Sequence, residues 1–209
     1  MKSIFVLASL ILFVAPCQAQ QEQTSQPTSK EAEKVQEIGA EASQKLLKNL
    51  QAALMEAMQE GGAVNAITVC KDTAQILTGE ISESLGEGIS IKRTSVKYRN
   101  PANAPDAMEK SVLERYAIAA ARGEELPPFI LQKFRNDGDW VYRYCKPLKV
   151  MQLCTNCHGA ESQIDPEVKT VIEAKYPQDR ATGYETGDFR GVVSVTMTET
   201  FVRSTSPAE

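Results

Sequence analysis

Cys154-Thr155-Asn156-Cys157-His158-Gly159 is the stretch around which the rest of this chain has to be arranged. A Cys-x-x-Cys-His run is the attachment signature of c-type haem, and the reason is geometric. Two thiols three positions apart add to the two vinyl groups of one porphyrin, and the imidazole of the next residue lies under the iron. His158 is the only histidine in 209 residues, so the sole imidazole occupies the one offset this chemistry requires. The expected cofactor is one covalent haem c, with Cys154 and Cys157 as thioether donors and His158 as proximal ligand. Two other readings of the pair are a thioredoxin-like redox dithiol and half of a zinc site. Structural zinc takes four ligands, usually from two such pairs, and no second pair exists here. The dithiol is therefore the stronger competitor.

Haem c is attached after export, and the N-terminus agrees. Residues 1–19 read as a signal peptide: Lys2, an apolar run over residues 4–14, then Ala15-Pro-Cys-Gln-Ala19 with small residues where a peptidase cuts. The run is too short to span a bilayer. Acylation of Cys17 needs a small residue before it and finds Pro16, which argues against a lipoprotein. No other segment is apolar enough for a membrane helix, so the expected protein is soluble and exported, to a periplasm or a thylakoid lumen. The net charge of −4 becomes −5 without Lys2, which argues against nucleic acid or an anionic membrane as partner. Hydrophobic content of 42% and charge of 24% are ordinary for a globular chain. A polar, flexible leader is expected over residues 20–31, and a single domain over residues 32–209.

Within that domain, Val35, Ile38, Ala42, Leu46, Leu50, Leu54 and Met58 predict a long amphipathic helix over 32–60, ended by Gly61-Gly62. A second helix over 63–85 carries Ile67, Cys70, Ala74, Leu77 and Ile81 on one stripe. Residues 89–94 alternate as a strand. Asp106 with Glu109 forms a capping box for a helix to residue 122. Residues 129–135 and 140–146 flank Asn136-Asp-Gly-Asp139 as a β-hairpin, with Trp140, Tyr142 and Tyr144 on one face and Val141, Arg143 and Cys145 on the other. A loop through Pro147 leads to the haem motif. Asp165-Pro166 opens a short helix stopped at Tyr176-Pro177, and Val193, Val195 and Met197 alternate along a last strand. Helices grouped ahead of an antiparallel set predict an α+β fold.

The iron's remaining axial position has no second histidine to fill it. The candidates are Met55, Met58, Met108, Met151, Met197, Cys70, Cys145, water or nothing. Cys145 points away from the cofactor if the aromatic face of its strand walls it, whereas Cys70 lies on a buried helix stripe. A packed free thiol and a Cys70 to Cys145 disulfide both remain open alternatives for Cys70. Arg93, Lys97, Arg99 and Arg190 are candidates to meet the haem propionates, because guanidinium binds carboxylate bidentately. Asp179, Asp188 and Arg190 sit in a glycine-dense loop that reads as shaping the fold.

Ala66-Ile-Thr-Val-Cys70-Lys, Arg93-Thr-Ser with Arg99-Asn-Pro-Ala-Asn-Ala-Pro-Asp106, the haem motif, and Tyr176-Pro-Gln-Asp-Arg-Ala-Thr-Gly-Tyr-Glu-Thr-Gly-Asp-Phe-Arg-Gly191 running into Val192-Val-Ser-Val195 resemble one family. It comprises exported c-type haem proteins and sensor modules with a PAS-like fold, and the likeness covers residues 46–195. The resemblance implies a PAS-like antiparallel sheet behind N-terminal long helices, with a covalently attached haem. It also implies Cys70 as the distal iron ligand, because the family's iron-binding cysteine falls on that position. Cys145 and the polar leader have no counterpart in it. The function expected is a redox or small-gas sensor acting through a separate signalling or redox partner protein. The alternative is a low-potential electron-transfer protein. A haem enzyme such as a peroxidase needs a distal acid/base group, and the lack of another histidine argues against it.

Overall fold

A computed structural model describes residues 24–205, so the expected signal peptide lies outside the described residues. Twelve elements follow in order: β1 (Thr24–Ser25), α1 (Ser29–Ser84), β2 (Ile89–Thr94), a 3-10 turn (Pro101–Asn103), α2 (Ala107–Ala121), β3 (Ile130–Asn136), β4 (Asp139–Lys149), a second 3-10 turn (Gln152–Cys154), α3 (Thr155–His158), α4 (Pro166–Lys175), β5 (Phe189–Thr198) and α5 (Glu199–Ser204). The strands form one antiparallel sheet in the order β1-β3-β4-β5-β2. The fold is the α+β, PAS-like arrangement expected. Among the described residues no helix is long and apolar enough to cross a membrane.

α1 is two helical arms. Gly62 has φ 65° and ψ −159°, a conformation that L side chains avoid, and it breaks the helix where the Gly61-Gly62 pair predicts. The arms fold back on each other, and Lys45 Nζ of the first reaches Ser84 Oγ of the second at 2.8 Å. The first arm buries Val35, Ala42 and Leu46 against Tyr142, Tyr144, Val193, Val195 and Met197 of the sheet, with Ile81 of the second arm in the same cluster. α2 covers the opposite face, where Val112, Leu113 and Tyr116 pack on Ile130, Cys145 and Val192. It starts at the capping box of Asp106 and Glu109. Buried Glu109 is neutralised there by Lys92 Nζ at 2.8 Å.

Part of the polar leader is ordered, which corrects the flexible leader expected over residues 20–31. Thr24 and Ser25 pair with Phe134 and Lys133, and Thr28 caps a helix that already begins at Ser29. Glu31 explains why. Its carboxylate accepts from the Thr28 N–H at 2.7 Å, from Tyr142 Oη at 2.5 Å and from Lys133 Nζ at 2.9 Å. Polar composition alone hides this, because the clamp needs partners more than a hundred residues away. β4 also runs further than the sequence suggests. It passes through Pro147, which sits opposite Val192, and bends at a register shift between Leu148 and Lys149.

Burial pushes the Glu31 carboxyl up, but the hydrogen bonds from Tyr142, Thr28 and Lys133 outweigh it and bring it down to about 2 from 4.5. A carboxylate depressed in the folded state stabilises above its unfolded value, and that stability drains as pH falls from about 4.5 to about 2. At about 1.4 kcal/mol per pKa unit, discounted for partial exposure, the clamp contributes about 2 kcal/mol. Glu31→Gln is therefore expected to lower stability by that amount in urea melts at pH 7 and to match the wild type near pH 2. An equal deficit at both pH values would show that the charge is irrelevant.

Candidate functional site

β4 delivers the chain to the Cys-x-x-Cys-His motif through Val150, whose N–H is taken by Asp188 O at 2.9 Å. The motif then folds as the 3-10 turn and the single helical turn of α3. Gly159 ends it because no side chain fits: an added Cβ would stand 2.6 Å from Thr155 O. Cys154, Cys157 and His158 line a cavity of about 470 Å³, within the size range of cofactor pockets. Leu47, Leu50 and Leu54 of the first arm of α1, and Ile67 and Cys70 of the second, form its other wall.

Six of the residues singled out in the sequence meet here. Cys70, Arg93, Arg99, Cys154, Cys157 and His158 all line this one cavity. All the described cysteines are free thiols. By surface area Cys70 is exposed, but the surface it shows is the cavity wall; the side chain is otherwise enclosed, and burial pushes its thiol up while Arg93 and Arg99 pull it back. Burial likewise raises the Cys157 thiol, against Arg99.

His158 Nδ1 lies 2.6 Å from Ala181 O, so Nδ1 carries the proton and Nε2 keeps its lone pair. Burial holds the imidazole well below its ordinary value, helped by Arg99, Arg190 and Arg93 and opposed by the Ala181 contact. A neutral ring with a free lone pair is the form that binds a metal.

The arginines divide by role. Arg99 meets Asp179 Oδ2 through Nη2 at 2.9 Å and Nε at 3.1 Å, and its Nη2 also donates to Cys157 O at 2.6 Å. Arg190 donates to Ser95 Oγ at 2.9 Å and Lys97 O at 3.0 Å. Lys97 is spent on Thr182 O at 2.5 Å and on the Tyr184 ring. Arg93 has no carboxylate partner among the described residues, and burial lowers its guanidinium pKa, with Cys70 opposing. An enclosed cation without a counter-ion calls for an anion in the cavity. The two thiols, the neutral imidazole and this unpaired cation fit an anionic porphyrin.

Other sequence candidates fall elsewhere. Tyr142 and Tyr144 pack under α1 and, with Trp140, do not line the cavity, so the aromatic wall considered for the cofactor is absent. Cys145 lies on the α2 side of the sheet, its thiol pushed up to about 12 by burial, and it forms no disulfide with Cys70. Met197 is in the core, whereas Met58 and Met151 line the cavity. Tyr98 and Tyr176 also wall the cavity, which no local pattern signals because their approach depends on how two loops pack. A second cleft of about 530 Å³ lies on the α2 side and does not touch the motif. Its buried charge, Arg143, is already held by Asp106 at 2.8 Å and by Thr196 at 3.2 Å.

A family model described as Tll0287-like matches residues 18–198. The chain is 22% identical to a solved structure, that of the cyanobacterial heme-protein Tll0287, over 83% of this chain and 98% of that one, with a TM-score of 0.55. At that identity the likeness speaks to the fold. No curated protein matches.

Proposed function

Because this chain belongs to the Tll0287-like family, we propose that it binds one haem covalently through Cys154 and Cys157, with His158 as proximal ligand and Cys70 opposite, and that it works after export as a redox or small-gas sensor. The observation that carries this reading is the single cavity in which the motif's two thiols, the chain's only histidine and Cys70 from α1 all meet. The name of the solved relative as a heme-protein supports it. Haem held there by Cys154, Cys157 and His158 would supply one-electron redox chemistry.

The chain's own groups do the rest. Ala181 O orients the imidazole and raises its basicity through Nδ1–H. Arg93 and Arg99 work against the upward push of burial on the Cys70 thiol and offer charge to the propionates. Leucines of α1 keep water from the far wall. No second imidazole is available as a distal acid/base group, so the role proposed is non-enzymatic, exerted through a separate redox or signalling protein.

If Cys70 helped hold the haem as a thiolate, it would add negative charge that a low-dielectric cavity would disfavour, more so once the group is reduced. Cys70→Ala is therefore expected to change the ferric spectrum and raise the midpoint potential by on the order of 0.1 V or more, within the ~0.8 V that axial ligation spans. An unchanged spectrum and potential would remove Cys70 from the iron. Titration of the reduced protein with carbon monoxide separates the two roles. Tight binding with a large spectral shift supports sensing, and an inert iron in both states supports low-potential electron transfer.

A further inference from the structure

The loop from Tyr176 to Arg190 closes over the haem motif by taking up its carbonyls one after another. Gly183 N–H donates to Gly159 O at 2.8 Å and Tyr184 N–H to His158 O at 3.0 Å. Cys157 O is taken by Arg99, which is itself held by Asp179. Asp179 thus stands at the centre of a closed circuit. Its Oδ2 accepts from Arg99 Nη2 and Nε, and its Oδ1 accepts from Ala181 N–H at 2.8 Å. Ala181 O then accepts from His158 Nδ1–H at 2.6 Å, and the backbone from His158 to Cys157 leads back to Arg99.

Asp179 is about nine-tenths buried, so its charge has to be fully satisfied, and the two oxygens are spent on different tasks. Oδ1 makes an Asx turn with the residue two positions on, which fixes the Ala181 peptide. That peptide's carbonyl is the acceptor for the ring. Without the turn nothing else among the described hydrogen bonds holds the Ala181 N–H.

We infer that Asp179 is the positioning residue for His158. Through the Ala181 peptide it fixes which ring nitrogen carries the proton and which way the other one faces. The loop that reads in sequence as a fold-shaping, glycine-dense connection therefore sets the imidazole at the site. This rests on the proposed haem reading only for its redox consequence, because the hydrogen bonds belong to the polypeptide.

The test uses full-length protein labelled with ¹⁵N-histidine, in which the only ring signals are those of His158. The solvent-exchange rate of its Nδ1–H is compared among variants. Asp179→Ala is expected to speed that exchange about tenfold, the order expected for loss of one well-held hydrogen bond. Asp179→Asn keeps an oxygen for the Ala181 N–H and is expected to stay within about twofold of the wild type. In haem-loaded protein Asp179→Ala also raises the midpoint potential, because a less basic imidazole donates less to the iron. Unchanged exchange in a folded Asp179→Ala protein would overturn the inference. If that variant does not fold, a tenfold acceleration in Asp179→Asn would overturn it, and wild-type exchange there would support it. A coloured protein with unaltered exchange in Asp179→Ala defeats this inference alone. A colourless protein showing the expected acceleration defeats the haem reading alone.

Discussion

Gly39→Leu will strip the protein of about 3 kcal/mol of stability, a fall of about 1.5 M in urea midpoint. Gly39 lies in the first arm of α1, and a Cβ there would stand 2.3 Å from Tyr144 Cγ and 2.6 Å from Tyr144 Cβ. Tyr144 cannot give way, since it is buried in the sheet and stacked on Phe129 with ring centroids 5.4 Å apart. The helix itself has to lift off the sheet, and Leu46 and Val35 lose their contacts with it. Leucine is a good helix former, so propensity does not account for the loss. Gly79→Ala is the control. It lies in the other arm with nothing within 4 Å of its added Cβ, and it should gain about 0.5–1 kcal/mol. Equal effects at the two glycines would mean that α1 does not pack as described.

On the proposed haem attachment, replacing both Cys154 and Cys157 with serine will abolish covalent pigment completely. Serine preserves the size and the turn of α3 but forms no thioether, so any haem that still enters the cavity leaves with acidified acetone. Each single variant keeps one thiol and should retain pigment in reduced yield. The redox-dithiol reading makes the opposite forecast: no pigment in the wild type, and two titratable thiols lost reversibly on oxidation. Cys154 and Cys157 are both partly accessible free thiols on the cavity wall, so a thiol-specific reagent can tell these outcomes apart.

The elements legible in the sequence were those marked by local chemistry. Gly61-Gly62 breaks α1, Asp106 and Glu109 cap α2, Asp165-Pro166 opens α4, and Asp137-Gly138, with φ of 50° and 92°, turns the β3–β4 hairpin. Each depends on a few neighbouring residues, so periodicity and turn chemistry find it. The candidate site was legible for a different reason: the Cys-x-x-Cys-His spacing is a local pattern, and His158 is the single histidine of the sequence. Cys70 lies on a helix stripe that the sequence reads as buried, the family resemblance marks it as a ligand, and the fold brings it to the motif.

What stayed hidden depends on distant contacts. Glu31 looks like leader until Tyr142 and Lys133 arrive from the sheet. Gly39 reads as a mere weakness in a helix until Tyr144 presses on it. Alternation places Tyr142 and Tyr144 on one face of β4, but which layer covers that face is a tertiary fact, and α1 covers it. The final helix α5 escapes notice because six residues carry too little periodicity to register.

Covalent haem on Cys154 and Cys157 is tested by the intact mass of full-length protein made in a host that matures c-type cytochromes. The expected product is coloured and heavier than its processed polypeptide by one haem, with the extra mass surviving denaturation and acid extraction. A colourless product with the mass of the polypeptide alone would contradict it.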